Sequence, residues 1–243
     1  MSLRVAFDLD GTLADMRSAL KMVERRLFGT DAIDPGAPDN TKGHEPPDVR
    51  AEDGEAGGVK TPDPPPKKEG LTLSQQRQVW EAVAGTRDFW ESLDEIEPGT
   101  VRAIAHQVVH RGWEVIFLTK RPATAGRTVQ VQTQRWLRAK GYSLPSVFVV
   151  AGSRGKAAEA LEIDAVVDDL LQNCVDVTSD SGAAAILVWR ETSDRITMNA
   201  NRLGISVVRS AEEALKLLAD FDDKRKQTTV VHRIRRAIGL RQS

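Results

Sequence analysis

From Leu71 onward the chain alternates between short apolar runs and segments whose apolar residues recur at helical spacing. The runs are WEVIFLT (113–119), SVFVV (146–150), DAVVDD (164–169), AAILVW (184–189) and ISVV (205–208). Between them lie TVRAIAHQVVHRG (100–112), TAGRTVQVQTQRWLRAKG (124–141), GKAAEALE (155–162), LLQNCVDVTSD (170–180) and, at the end, SAEEALKLLADF (210–221). Runs of four to eight apolar residues suit buried strands, and the glycines at 112 and 141 suit helix ends. Strands that alternate with helices predict an α/β fold: a three-layer, Rossmann-like parallel sheet covered on both faces. LRVAFD (3–8) adds a strand at the start, and MRSALKMVERRLF (16–28) a helix. LSQQRQVWEAVAG (73–85) reads as a helix with Thr72 or Ser74 near its N-cap, and DFWESLDEI (88–96) as a short helical piece.

One stretch breaks this order. Residues 29–70 hold eight of the eleven prolines and no aromatic residue, and Asp31–Glu69 carries ten acidic and five basic side chains. Such a segment buries too little apolar area to offset its ordering entropy, so it is expected to be a disordered acidic insertion. The net charge of −1 marks the whole chain as neither polyanion nor polycation. The single cysteine, Cys174, excludes an internal disulfide and is expected to serve packing. MSLRVAFDLDGT lacks the pattern of a secretory leader, and no apolar run reaches the ~18 residues of a membrane span. A cytoplasmic protein is the expectation.

In a parallel sheet, ligands bind beyond the carboxyl ends of the strands. Three strands here end in polar groups: Asp8 followed by Leu9-Asp10-Gly11-Thr12, Thr119 followed by Lys120-Arg121, and Asp168-Asp169. The loop after 146–150 adds Arg154 and Lys156. Four carboxylates on one edge repel one another, and a hard divalent cation relieves this. Magnesium suits an all-oxygen donor set and leaves positions for phosphate. Lys and Arg suit the phosphate oxygens. Asp8 then serves as metal ligand and nucleophile, and Asp10 as acid and base.

The string FDLDGTLAD resembles the first motif of the haloacid dehalogenase superfamily, D-x-D-G-T after a hydrophobic strand. Thr119 after VIFL looks like its second motif, Lys156 like its third, and Asp168-Asp169 after AVV like its fourth, with Lys156 twelve residues before Asp168. The resemblance spans Arg4 to about Phe221, apart from 29–70. It implies catalytic Asp8, Asp10, Thr119 and Lys156. It implies an aspartyl-phosphate on Asp8 and Mg2+ held by Asp8, the Asp10 carbonyl and the pair Asp168 and Asp169, with Asp169 the direct ligand. The second aspartate, Asp10, favours a phosphatase over a dehalogenase. The resemblance further implies a core of 1–15 and 96–222, with a small helical cap, 16–95, inserted after the first strand.

Contacts to substrate are expected from Thr119, Lys120, Arg121 and Arg154. Trp80, Phe89 and Trp90 either stack on a nucleobase or form the cap's own core. His44, His106, His110 and His232 show no ligand pattern. FWESL, then PG, a helix and EVIFLTKRP look like the 5′-deoxyribonucleotidase branch, which implies a nucleoside monophosphate or similar small phosphorylated substrate. TKRPATAGRTVQVQTQRWL is also similar to polynucleotide kinase phosphatase domains, so a polynucleotide end phosphatase is the alternative. A phosphate-binding regulatory module is a third reading. The tail, 223–243, has seven Lys or Arg from Lys224 on and no acid after that point. It could form a basic helix for an anionic partner such as nucleic acid, pack on the core, or bind the acidic insertion.

Overall fold

The computed structural model describes residues 2–29 and 70–237. The acidic insertion (apart from its end residues) and the last six residues of the tail lie outside the described residues. Six strands form one parallel sheet: β1 Arg4–Asp8, β2 Glu114–Thr119, β3 Ser146–Val149, β4 Ala165–Asp168, β5 Ala184–Val188 and β6 Ser206–Val208. Their order is β3-β2-β1-β4-β5-β6, so β1 lies centrally between β2 and β4. Val5 pairs with Val115 on one side and Ala165 on the other. The strand order reverses at β1, where a parallel sheet opens a crevice beyond its carboxyl ends.

The helices are α1 Met16–Phe28, α2 Leu73–Gly85, α3 Thr100–Arg111, α4 Val129–Ala139, α5 Arg154–Ala160, α6 Leu171–Asp180, α7 Asp194–Arg202 and α8 Ala211–Ala237. Alternate strand residues face opposite sides of the sheet. Ala6, Leu118, Val166 and Leu187 share one buried cluster with Ala158 of α5, Cys174 and Val177 of α6 and Ala200 of α7. Cys174 is thus a packing residue, as expected. α2 begins at a capping box: the Thr72 hydroxyl accepts from the Gln75 amide, and the Gln75 side chain accepts from the Thr72 amide. α3 stops at Gly112 in a left-handed conformation.

Three elements differ from the sequence reading. α7 was not anticipated, because DRITMNANR is mostly polar; parallel pairing of β5 with β6 nevertheless demands a crossover there. Residues 124–128 do not join α4. Gly126 takes a positive φ of 98° beside Asp88, which accepts from the Arg127 amide and guanidinium. DFWESLDEI forms only a 3₁₀ turn, Phe89–Glu91.

The chain divides into two compact units. The sheet unit holds residues 1–16, 90–121 and 129–243; the second holds 17–89 and 122–128. Residues 90–95 therefore belong to the sheet unit. Within the sheet unit the Trp90 amide donates to Gln132 Oε1 at 3.1 Å and Trp136 Nε1 to the Leu93 carbonyl at 2.6 Å. Within the second unit, main-chain bonds tie Ala125 to Ala84 and Asp88 to Ala125. α8 runs unbroken to Ala237, so the start of the basic tail prolongs a core helix. Among the described residues no helix is long and apolar enough to cross a membrane.

Candidate active site

β1 and β4 are direct neighbours, and their carboxyl ends deliver Asp8, Asp168 and Asp169 to one place. One carboxylate oxygen from each lies within 4.8 Å of the others. Asp8 is buried. Its carboxyl is pushed well above the usual carboxylate range by that burial first, then by Asp168, while Arg154 opposes the shift. Burial, reinforced by Asp168, pushes Asp169 up to about 7. Asp168 is also raised by burial. A hard cation among three crowded oxygens would remove this conflict, so the donor set fits magnesium.

The two members of the acid pair differ. Asp168 accepts from the Leu170 amide at 2.9 Å and from Asn173 Nδ2 at 3.1 and 3.0 Å, and it lies 3.7 Å from Arg154 Nε. Asp169 accepts from the Thr12 hydroxyl at 3.1 Å. Gly11, at φ +91°, lies so close to Asp169 that a Cβ there would strike its carboxylate. The glycine of D-x-D-G-T thus lets the loop after β1 approach the acid from β4.

Of the two cations on the first turn of α5, Arg154 reaches Asp8. Arg154 Nη2 donates to Asp8 Oδ1 at 2.5 Å, whereas Lys156 is exposed. The cause is the seating of α5. Ser153 caps the helix and donates to Asp180 at 2.9 Å, and Gly155 lies against the Asp176 carbonyl where any Cβ would collide. That contact presses the first turn of α5 onto α6 and turns residue 154 inward. Arg154 Nη1 is buried with no hydrogen-bond partner. An unmet buried donor beside three carboxylates suits an anionic ligand, because leaving it unpaired costs about 1–3 kcal/mol.

Asp10 stands apart from the three-carboxylate cluster. Arg121 grips it with Nε at 3.0 and 2.8 Å and Nη2 at 2.7 Å, and the Thr119 hydroxyl donates to it at 3.2 Å. Its side chain is thus no part of that three-carboxylate cluster. The Arg121 side chain is wholly buried, with Nη1 on Thr133 at 3.0 Å and Cζ 5.1 Å from the Trp90 ring centroid. Arg121 and Trp90 therefore form a backing for Asp10. Trp90 is fully buried and has no face to offer a base. Lys120 is exposed. Trp80 and Phe89 belong to the second unit, Phe89 buried and Trp80 half-buried.

Sequence reasoning gave no role to Asn173, Thr12, Thr133, Glu97 or Arg190. Thr12 was visible inside the D-x-D-G-T string. Asn173 follows the acid pair closely, on the first turn of α6, and Glu97 and Arg190 come from distant parts of the chain with no local signal.

No protein-family model matches the chain, and neither does any curated protein. Solved structures do. A hydrolase from Pseudomonas syringae is 15% identical, with a TM-score of 0.49 over 90% of this chain and 99% of that one. A haloacid dehalogenase-like family hydrolase from Xanthomonas campestris is 11% identical, with a TM-score of 0.46 over 93% and 98%. A HAD family hydrolase from Deinococcus radiodurans R1, solved with bound phosphate and sodium, is 18% identical, with a TM-score of 0.50 over 90% and 96%. With its 3-2-1-4-5-6 parallel sheet and an aspartate closing the central strand, the chain has the fold of the haloacid dehalogenase-family hydrolases.

Proposed function

We propose that this chain hydrolyses small phosphomonoesters through an aspartyl-phosphate on Asp8, with magnesium held by Asp8, Asp169, the Asp10 carbonyl and, indirectly, Asp168. The observation that carries the reading is the meeting of Asp8, Arg154 and the Asp168-Asp169 pair at the adjoining ends of β1 and β4. Bound magnesium supplies positive charge for the phosphoryl oxygens and keeps Asp8 ionised in its buried setting. Arg154 adds a fixed donor, Nη1, for a phosphoryl oxygen.

In the first half-reaction an Asp8 oxygen bonds to phosphorus and the ester oxygen–phosphorus bond breaks. Protonated Asp10 gives its proton to the departing oxygen. In the second, Asp10 takes a proton from water as the water oxygen attacks phosphorus. Asp8 is released with inorganic phosphate, and Asp10 is again protonated. Arg121 and Thr119 hold the Asp10 carboxylate from behind and beside, so the acid enters each half-reaction from one position.

The resemblance to 5′-nucleotidases favours a nucleoside monophosphate as substrate. A phosphomonoester panel, with and without magnesium, tests both levels. Turnover that persists after every divalent ion is removed would sink the mechanism. Good turnover of a sugar phosphate with none of any nucleotide would discard the substrate class alone. Asp8→Asn is expected to abolish turnover while the protein stays folded. A second reading, polynucleotide end phosphatase, draws on the basic stretch that prolongs α8. It requires oligonucleotide binding that weakens steeply with salt.

A further inference from the structure

We propose that Arg190 is a positioning residue for the metal site: a strut that fixes the loop after β1 so that its carbonyl and hydroxyl groups present Asp169 and the cation to each other. The assignment rests on the magnesium reading above and goes beyond it, because Arg190 belongs to no motif and lies two residues past β5. Its Nη1 donates to the Gly11 carbonyl at 2.7 Å and its Nη2 to the Thr12 carbonyl at 3.0 Å. These are the carbonyls of the two residues that follow Asp10. The loop folds back on itself through hydrogen bonds that the Leu13 and Ala14 amides donate to the Leu9 carbonyl and the Gly11 amide to the Ala14 carbonyl. Those bonds use its N–H groups and leave the carbonyls of Gly11 and Thr12 for Arg190.

The other end of the strut is equally fixed. Glu97 Oε1 accepts from Arg190 Nη2 at 2.8 Å and Nε at 3.3 Å. The same carboxylate accepts from the amide of Ala211 at the start of α8, at 3.2 and 3.1 Å. A planar guanidinium can bond two carbonyls and a carboxylate together in one orientation; a lysine ammonium cannot reproduce that fork. From the loop the chain of contacts continues through the Thr12 hydroxyl to Asp169 Oδ1. Arg190 thus couples the N-terminus of α8 to the orientation of the acid expected to hold the cation. Partners that orient metal ligands typically change metal affinity by about 10-fold to 100-fold when removed.

The test uses the full chain as wild type, Arg190→Gln, Arg190→Lys and Glu97→Gln. Mg2+ binding is measured by calorimetry without substrate, the thermal midpoint in EDTA, and phosphomonoester turnover across Mg2+ concentrations. The expected result is about 10-fold or greater weakening of Mg2+ binding in Arg190→Gln, less in Arg190→Lys, and turnover that recovers to within a few-fold of wild type at saturating Mg2+. The EDTA midpoint should fall too little to explain the change. If Arg190→Gln fails to fold, Arg190→Lys decides by the same readings. Folded variants that bind Mg2+ as tightly as wild type overturn the strut. A wild-type protein that binds no Mg2+ removes the underlying reading and the strut with it; one that binds Mg2+ but turns over no ester leaves calorimetry to judge Arg190 alone.

Discussion

Arg154 and Lys156 sit two residues apart on one short helix and meet different surroundings. Arg154 is buried against Asp8, and Lys156 is exposed. Arg154→Gln is therefore expected to lower kcat/KM by about 10²–10³, the scale of losing one fixed donor to a transition-state charge. Lys156→Gln should stay within a few-fold of wild type in the same assay; the opposite ranking would restore Lys156. The acid cluster makes a second prediction. Asp169 has a raised value of about 7 in the folded chain, against about 4 when unfolded. Between those values the folded state binds protons more tightly, so the metal-free protein loses stability as pH rises through that window. Magnesium competes with those protons and needs the ionised carboxylates. Its effect on the thermal midpoint should be larger near pH 8 than near pH 5, and an equal shift at both would contradict the crowding of Asp8, Asp168 and Asp169.

At the scale of elements, the seating of α5 on α6 decides which cation reaches Asp8. Gly155 allows that approach, because a Cβ would press on the Asp176 carbonyl, which is backbone and cannot swing away. Gly155→Ala should cost about 1–3 kcal/mol through overpacking. It should also reduce turnover, since Arg154 rides on the displaced turn. Thermal unfolding and a kinetic assay on the same preparation check both; a variant with normal stability and rate would show that α5 yields easily. The strands themselves were legible, because a run such as EVIFLT has one plausible fate in an α/β chain. The first turn of α5 was not. GSRGK carries two cations at one loop, and their spacing alone does not say which will face inward.

Across the molecule, α8 closes the sheet unit by a buried anchor far from the acid cluster. Asp222 accepts from Trp113 Nε1 at 3.0 Å and Lys226 Nζ at 2.7 Å, and Arg225 pairs with Asp164 at 2.6 Å. Asp222→Ala strands the buried indole N–H and should cost about 1–3 kcal/mol in chemical unfolding. An unchanged midpoint would mean that α8 is held by its apolar face alone. The start of the basic tail continues α8 because no breaker lies between Phe221 and Ala237.

Alternation of apolar runs with helical segments was enough to determine a parallel sheet. A parallel sheet puts strand ends on one edge, so Asp8, Asp168 and Asp169 were expected together from the sequence, with Asp10 as a fourth member that the structure holds on Arg121 instead. Tertiary structure alone decided that Arg154 faces Asp8, that Arg121 backs Asp10 with Trp90 behind it, and that Arg190 grips the loop from across the fold. The reason is geometric. Strand period fixes which residues arrive at an edge, whereas the direction of a long cationic side chain depends on how closely neighbouring helices pack, and that distance is written in no local pattern.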